Sequence, residues 1–232
     1  MTTKPILFSA PMVQVILDGR KTQTRRIFKP TPIRNDHPTV PSWNLSHGGK
    51  EYCFSDNQMR RFGLEMLPIK VGNLLWVREN FRLRSMWDDL SPINCGYHNG
   101  VRAVGYPATM TEAQCKDAGA GGRCRPSIHM PMWASRITLR VTDVRVQRLQ
   151  DISEEDAVAE GIEQDPETGG YWGGAGTGVG GATPRYTSAI VAFKRLWDSI
   201  NEKRGYGWDK NPWVAAYTFE VINKNVLEVE NA

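Results

Sequence analysis

The order of elements legible in this 232-residue sequence predicts an α+β fold, a small twisted β-barrel with peripheral helices and long loop insertions. Three observations carry that expectation. A short helix comes first, the best alternating runs lie at 134–149 and 213–222, and the helices between them are too few for a βαβ array. The length suits one well-buried core, so residues 1–232 read as a single domain.

Ser9 has the chemistry of an N-cap, and Pro11 is tolerated in the first turn, where its missing N–H is no loss. Met12 to Leu17 carry apolar residues at helical spacing, and Gly19 supplies the stop. This helix delivers Arg20, Lys21, Thr22, Gln23, Thr24, Arg25 and Arg26 into a loop or the start of a strand. Residues 29–70 are rich in Pro, Asn, Ser and Gly with little periodicity, a first insertion with short elements hidden in it. At 71–79 a turn leads into a β-rich run containing Trp76 and Val77.

A second polar insertion spans 84–127. Ile137, Leu139 and Val141 then alternate with Thr138, Arg140 and Thr142, and a bulge near Asp143 would make this one strand or a pair. Ser153, followed by Glu154, Glu155 and Asp156, marks a helix start with acids at its positive end, and the helix stops at Gly161. A third insertion covers 163–186, of which 169–181 is more than half glycine and reads as a flexible loop. Ser188 to Asn201 is the best helix, with Ile190, Phe193, Leu196, Trp197 and Ile200 on one face. Trp213 to Ile222 closes the pattern as a strand with Trp213, Ala215, Tyr217, Phe219 and Val221 on one side.

Hydrophobic residues at 40% and charged residues at 23% are the balance of a soluble globular protein. No run approaches the ~18–20 apolar residues of a membrane span, and the N-terminus lacks a signal-peptide pattern. A cytoplasmic protein with no membrane partner is expected. Four cysteines are too few for a disulfide scaffold, so free thiols are expected. Cys95 and His98 have C-x-x-H spacing, with Cys115, Cys124 and His129 following, but there is no second tight pair, so neither a metal nor any cofactor is expected. The net charge of +4 mildly favours anionic partners. Its distribution says more, because Arg20, Lys21, Arg25 and Arg26 cluster early whereas much of the acidic charge lies in 151–167.

Gly176 to Gly181 fits G-x-G-x-x-G but lies inside a glycine-rich run, with neither the strand before it nor the helix after it that dinucleotide binding needs. Gly19-Arg20-Lys21-Thr22 has the end of a P-loop without its first glycine or its strand. The segment Gly19 to Arg26 keeps three readings open. It is a solvated basic loop, a phosphate-binding patch, or a catalytic segment in which a lysine of lowered pKa activates a threonine hydroxyl. Arg20, Arg25 and Arg26 would lower the Lys21 pKa by like-charge repulsion. Glu160 stands at the end of its helix, where the dipole disfavours a carboxylate, which marks it as a functional candidate beside the reading of an ordinary exposed glutamate. Most of the eight tryptophans read as core, while Trp43, Trp172 and Trp208 lie in loops where an aromatic can stack on a base.

The run Ile16-Leu17-Asp18-Gly19-Arg20-Lys21-Thr22-Gln23-Thr24-Arg25-Arg26 resembles the signature of the ASCH superfamily, whose fold is PUA-like. Val71 to Val77 resembles the family's next strand, with Asn73 in place of its aspartate, and Thr138 to Thr142, Ser153 to Ile162 and Trp213 to Ile222 resemble the later elements in order. These pieces cover roughly a third of the chain and leave out the insertions at about 29–70, 84–127 and 163–186. Pro126 to Pro131 and Trp133 to Arg136 resemble text in long phage and prophage members of the family. Within the superfamily the chain is similar to bacterial amidohydrolases that deacetylate N4-acetylcytidine. That resemblance implies Thr24 as nucleophile, Lys21 as its base, and Glu160 as the group that orients Lys21 or activates the deacylating water. It makes Arg26 a substrate-binding or carbonyl-polarising residue, with Arg20 and Arg25 beside it as candidate binding residues. The expected partner is a modified nucleoside or nucleic acid, and no oligomeric state is specified. Two other readings stand beside the enzyme: an RNA- or DNA-binding module, with or without nuclease activity, and a non-enzymatic phage assembly or host-interaction protein.

Overall fold

A computed structural model describes residues 2–35, 42–95, 103–172 and 185–231. The chain begins with β1 (Thr3–Leu7), α1 (Ala10–Leu17), β2 (Gln23–Ile27), β3 (Ile33–Asn35), β4 (Ser42–His47), β5 (Lys50–Phe54) and α2 (Asp56–Met66). There follow β6 (Leu74–Arg78), β7 (Phe81–Arg82), α3 (Glu112–Asp117), β8 (Cys124–Arg125), β9 (Thr138–Arg148) and α4 (Glu154–Ala159). The last elements are β10 (Glu163–Gln164), β11 (Tyr171–Trp172), β12 (Arg185–Tyr186), α5 (Ala189–Asn201), β13 (Trp213–Ile222) and α6 (Val226–Glu230). The fold is mixed α+β, and no helix among the described residues is long and apolar enough to cross a membrane.

The chain forms two compact units, each assembled from separated segments. The first comprises Met1–Gly19, Asn73–Arg140 and Glu220–Ala232. Here β1 runs parallel to β6, and β6 pairs antiparallel with the start of β9, Leu74 opposite Arg140. Asn225 ties this unit together. Its Nδ2 donates to the carbonyls of Met132 (2.9 Å) and Ser135 (2.6 Å), while its Oδ1 caps α6 at the Leu227 amide. In α1, Ser9 occupies the N-cap position, but its side chain makes no capping hydrogen bond.

The second unit comprises Arg20–Gly72 and Val141–Phe219. It contains the strand order β9-β13-β2, with β13 antiparallel to β2 and Tyr217 opposite Thr24. Trp213 to Tyr217 are all buried, so β13 is a central strand covered on both faces, not the one-sided strand that alternation predicts. The core joins Leu149, Ile152, Ala157, Phe193, Trp197 and Val214. Burying each large apolar side chain of this kind stabilises by about 1.5–3 kcal/mol. The helix predicted from Ser188 forms as expected, with Ser188 capping Val191. Ile200, however, is 52% exposed, because the last turn runs past the core and buries Asn201 instead.

The full strand order β1-β6-β9-β13-β2 ends at β1 and β2, which do not pair, so the described strands form an open sheet. Pro5 in β1 has no N–H to give a further neighbour, which suits an edge strand. The first insertion is not structureless. It holds the meander β3-β4-β5 and α2, the helix opening with a capping box between Ser55 and Gln58. Trp43 of β4 stands edge-on to Trp213 at 5.8 Å, and the Arg148 guanidinium lies 4.4 Å from the Trp43 ring centre. Trp208 packs against Phe193. Trp43 and Trp208 thus have aromatic partners of their own. The third insertion contributes the small sheet β10-β11-β12, while its glycine-rich 173–184, with the G-x-G-x-x-G match, lies outside the described residues.

The helix α4 starts on Ser153, whose Oγ accepts from the Asp156 amide at 3.1 Å, and stops at Gly161, where φ is 96°. A side chain at that φ is strained, so Gly161→Ala should lower stability by about 1–3 kcal/mol. Urea denaturation of the purified variant measures the loss.

Candidate functional site

Every residue of the candidate site belongs to the second unit. The strand β2 lies at the edge of its sheet, and beyond that edge the Thr22 amide donates to the Ala159 carbonyl at 2.9 Å. This bond sets the end of α4 against the basic segment. Two periodicities then meet. Gln23 and Arg25 occupy alternate positions of the strand, and Asp156 and Glu160 stand four apart on the helix, so each pair shares a face.

Lys21 is 2% exposed and Glu160 4%. The Lys21 Nζ donates to Glu160 Oε2 at 2.7 Å and to the Glu160 backbone carbonyl at 2.6 Å. A cation at this carbonyl satisfies the helix C-terminus and opposes its negative end, which offsets the misfit of a carboxylate there. Positions 21 and 160 are thus brought into direct contact, and Glu160 is not an ordinary surface acid.

Arg25 has a completely buried side chain. Its Nη1 donates to Glu160 Oε1 at 3.1 Å and to Gln23 Oε1 at 2.6 Å, and its Nη2 donates to Asp156 Oδ2 at 2.6 Å. Asp156 Oδ1 accepts from Arg145 Nη2 at 2.8 Å and from Gln23 Nε2 at 3.2 Å. The result is a chain of alternating charge, Lys21, Glu160, Arg25, Asp156, Arg145. Buried charge requires such pairing. Burial works to raise the Asp156 pKa, but the Arg145 hydrogen bond, the Arg25 charge and the Gln23 hydrogen bond together win and leave it lowered. The Lys21 pKa is also lowered. Burial is the largest cause, Glu160 opposes it through its charge and hydrogen bond, and the charges of Arg26 and Arg25 add to the lowering. The repulsion expected from sequence is therefore present, but it is secondary to burial and does not include Arg20.

Arg20 pairs with Glu163 at 2.9 Å where both side chains are solvent-exposed. Thr24 and Arg26 alternate to the opposite face of β2 from Gln23 and Arg25. Thr24 is 4% exposed, whereas Arg26 is exposed. The charge of Arg26 nevertheless acts on both Lys21 and Glu160, because the pair stands at the strand edge, within reach of either face. No hydrogen bond joins Lys21 to Thr24 among the described residues. Arg25 had been expected to contact substrate. Its two terminal nitrogens are instead occupied by two carboxylates and an amide, and its Nε is sealed from solvent, so the guanidinium does not face a bound molecule directly.

Sequence reasoning passed over Gln23, Arg145, Asp156 and Tyr217. Spacing offered a signal for Gln23, two from Arg25, and for Asp156, four from Glu160, but none for Arg145 or Tyr217. Cys95 and Cys115 are buried and Cys53 and Cys124 exposed, all four as free thiols, while His98 lies outside the described residues. Among the described residues no three His, Cys, Asp or Glu side chains are grouped to hold a metal ion. A cleft of about 360 Å³ in the first unit, lined by Tyr106, Trp133, Arg136 and Lys224 among others, contains none of the predicted site residues.

Comparison with protein-family models, with curated proteins and with solved structures finds no match to this chain.

Two arginines of the same segment should respond oppositely to truncation. Arg25→Ala leaves Glu160 and Asp156 without their shared cation and should cost about 3–5 kcal/mol. Arg20→Ala removes only an exposed pair and should cost about 0–1 kcal/mol. Paired urea denaturation curves decide it, and equal losses would contradict the assignment of Arg25 to a buried charge chain.

Proposed function

We propose that this chain is an amidohydrolase that removes an acyl group from the exocyclic amine of a cytosine nucleoside, with N4-acetylcytidine as the type substrate. The observation that carries the reading is the buried Lys21–Glu160 contact at 2.7 Å, three residues before Thr24. A lysine whose pKa is lowered by burial is suited to act as a base, and an adjacent carboxylate orients its amine and stabilises the ammonium that forms. Thr24 supplies the nucleophile, and Arg26, two residues on along the same face of β2, supplies a cation to that face. The reading also relates the open sheet to the PUA-like barrels of the ASCH superfamily.

In the first step Thr24 Oγ1 gives its proton to Lys21 Nζ and bonds to the acyl carbon, and the carbonyl oxygen takes up the negative charge. The C–N bond then breaks, and the leaving amine takes the proton from the Lys21 ammonium. Water next attacks the acyl-threonine while Lys21 accepts its proton. The bond from the acyl carbon to Thr24 Oγ1 then breaks, Oγ1 takes the proton back from the Lys21 ammonium, and the acid leaves with the hydroxyl and the neutral base restored. Glu160 accepts from Lys21 Nζ throughout. Arg25 and Asp156 hold Glu160 in place and do not touch substrate.

The nucleic-acid-binding reading draws on the same basic segment, but Arg25 is sealed from solvent and spent on carboxylates. Only Arg20 and Arg26 of its three arginines are exposed, which weakens the case for a phosphate-binding patch.

The direct test is hydrolysis of N4-acetylcytidine followed by loss of its absorbance. Thr24→Ala and Lys21→Ala should each lower turnover by about a thousandfold or more, with the urea midpoint recording that each variant is folded. No hydrolysis by folded wild type overturns the reading. A second expectation concerns pH. The base must be neutral, so kcat/KM should rise with pH through the Lys21 pKa and then level, with its midpoint below the ordinary lysine value of 10.5. A limb that stays in place in a Glu160→Gln variant would assign the titration to another group.

A further inference from the structure

The segment that supplies Thr24 is paired residue by residue with β13, and the residue directly opposite Thr24 is Tyr217. Directly paired residues of antiparallel strands project their side chains to the same face with Cβ atoms about 4.5–5.5 Å apart. The face carrying Thr24 and Arg26 therefore also carries a phenol. Tyr217 is 3% exposed and Thr24 4%. Among the described residues neither hydroxyl makes a hydrogen bond, and neither oxygen is among the buried polar atoms sealed from solvent. Each side chain is thus packed along its length and left open at its hydroxyl. Buried polar groups of folded proteins are nearly always partnered. Two neighbouring hydroxyls that lack an internal partner and still reach solvent mark a place for an external acceptor.

We propose that Tyr217 is a catalytic residue that donates a hydrogen bond to the carbonyl oxygen of the acyl group attacked by Thr24. The assignment rests on the amidohydrolase reading above and adds to it the oxyanion donor that reading lacks. As the Thr24 Oγ1–carbon bond forms, the π electrons of the carbonyl move to its oxygen, and the Tyr217 hydroxyl binds that oxyanion without giving up its proton. When the C–N bond breaks the electrons return, and the same donor serves again when water attacks the acyl-threonine. A donor for this purpose must stay protonated, and burial raises the phenol to about 12, against a smaller opposing effect from the Arg26 charge. Arg26 adds positive charge on the same face. Preorganised donors of this kind act where negative charge develops in the transition state, which is where stabilisation raises kcat.

The test compares wild type, Tyr217→Phe and Thr24→Ala on N4-acetylcytidine. The phenol oxygen has no hydrogen-bond partner among the described residues, so Tyr217→Phe should leave the urea midpoint unchanged. Its kcat should fall about 10²–10³-fold, the cost of losing one oxyanion donor, with KM changed by less than about threefold. Full kcat in Tyr217→Phe alongside an inactive Thr24→Ala overturns the role of Tyr217 and leaves the amidohydrolase standing. An inactive, folded wild type overturns both. Replacing Tyr217 by 3,5-difluorotyrosine keeps its shape while lowering the phenol pKa, which guards against a Phe variant that fails to fold. An alkaline loss of kcat that moves to lower pH with the fluorinated phenol supports the assignment, because a phenolate cannot donate. An unmoved profile refutes it.

Discussion

A carboxylate removed from water destabilises a fold by several kcal/mol unless cations and hydrogen bonds replace its hydration. Glu160 is such a carboxylate, and the second unit is arranged around it. One oxygen accepts from Lys21 and the other from Arg25, so both are occupied. Arg25 in turn needs a second anion, which Asp156 provides, and Asp156 takes its remaining hydrogen bonds from Gln23 and Arg145. The sequence of requirements ends at Arg145, which is partly exposed and can be solvated. Each link is needed because the one before it is buried. The chain also fixes the register of α4 against β2, since a helical turn of slippage would remove both carboxylates from their cations together.

The position of β2 at the edge of its sheet matters as much as the charges. A central strand has both neighbours occupied by backbone, whereas here the outer side is open to α4, joined through the bond from Thr22 to Ala159. The strand then presents three surfaces with different duties. One face meets the buried charges through Gln23 and Arg25, the edge holds Lys21 against Glu160, and the other face carries Thr24 and Arg26 opposite Tyr217. In the proposed mechanism, orientation of the base and presentation of the nucleophile are thereby separated, though both come from one short segment. A close cation at the base lowers its proton affinity and a close anion raises it. Glu160 and the two arginines act on Lys21 in opposite senses, and burial tips the balance downward.

How much of this the sequence shows depends on the range of the interaction. Strongly periodic elements are legible because their pattern repeats within a few residues: α1, α4, α5, β6, β9 and β13 all lie where spacing and capping residues put them. The meander β3-β4-β5 has no such signal, because its residues are mostly exposed and polar with Leu45 and Phe54 its buried members. Its attachment comes from Trp43 and Arg148 meeting around Trp213, three positions far apart in the chain. That the described strands leave the sheet open was equally beyond a one-dimensional pattern. The roles proposed for Lys21, Thr24 and Glu160 came from the resemblance, with local chemistry adding only that a carboxylate stood at the wrong end of a helix. Asp156 was hidden for a related reason. Three acids in the first turn of a helix are explained by the dipole alone, although in the fold Asp156 meets a buried arginine, Glu154 accepts from the Ala189 amide and Glu155 is exposed.

Tyr217 illustrates the same limit from the apolar side. In β13 it shares a face with Trp213, Ala215 and Phe219, and by periodicity it is one more core residue. Burial bears that out for its ring, but periodicity assigns whole residues to faces and is silent about the atom at the tip. An aromatic with a polar end is chosen over phenylalanine where that end has somewhere to go. Across the ladder from Thr24 the hydroxyl has no partner among the described residues, and the proposed oxyanion role gives it one. The strand pairing that positions the two hydroxyls is the same pairing that buries their side chains, and a residue of β13 with no motif of its own is thereby brought beside Thr24 by register alone.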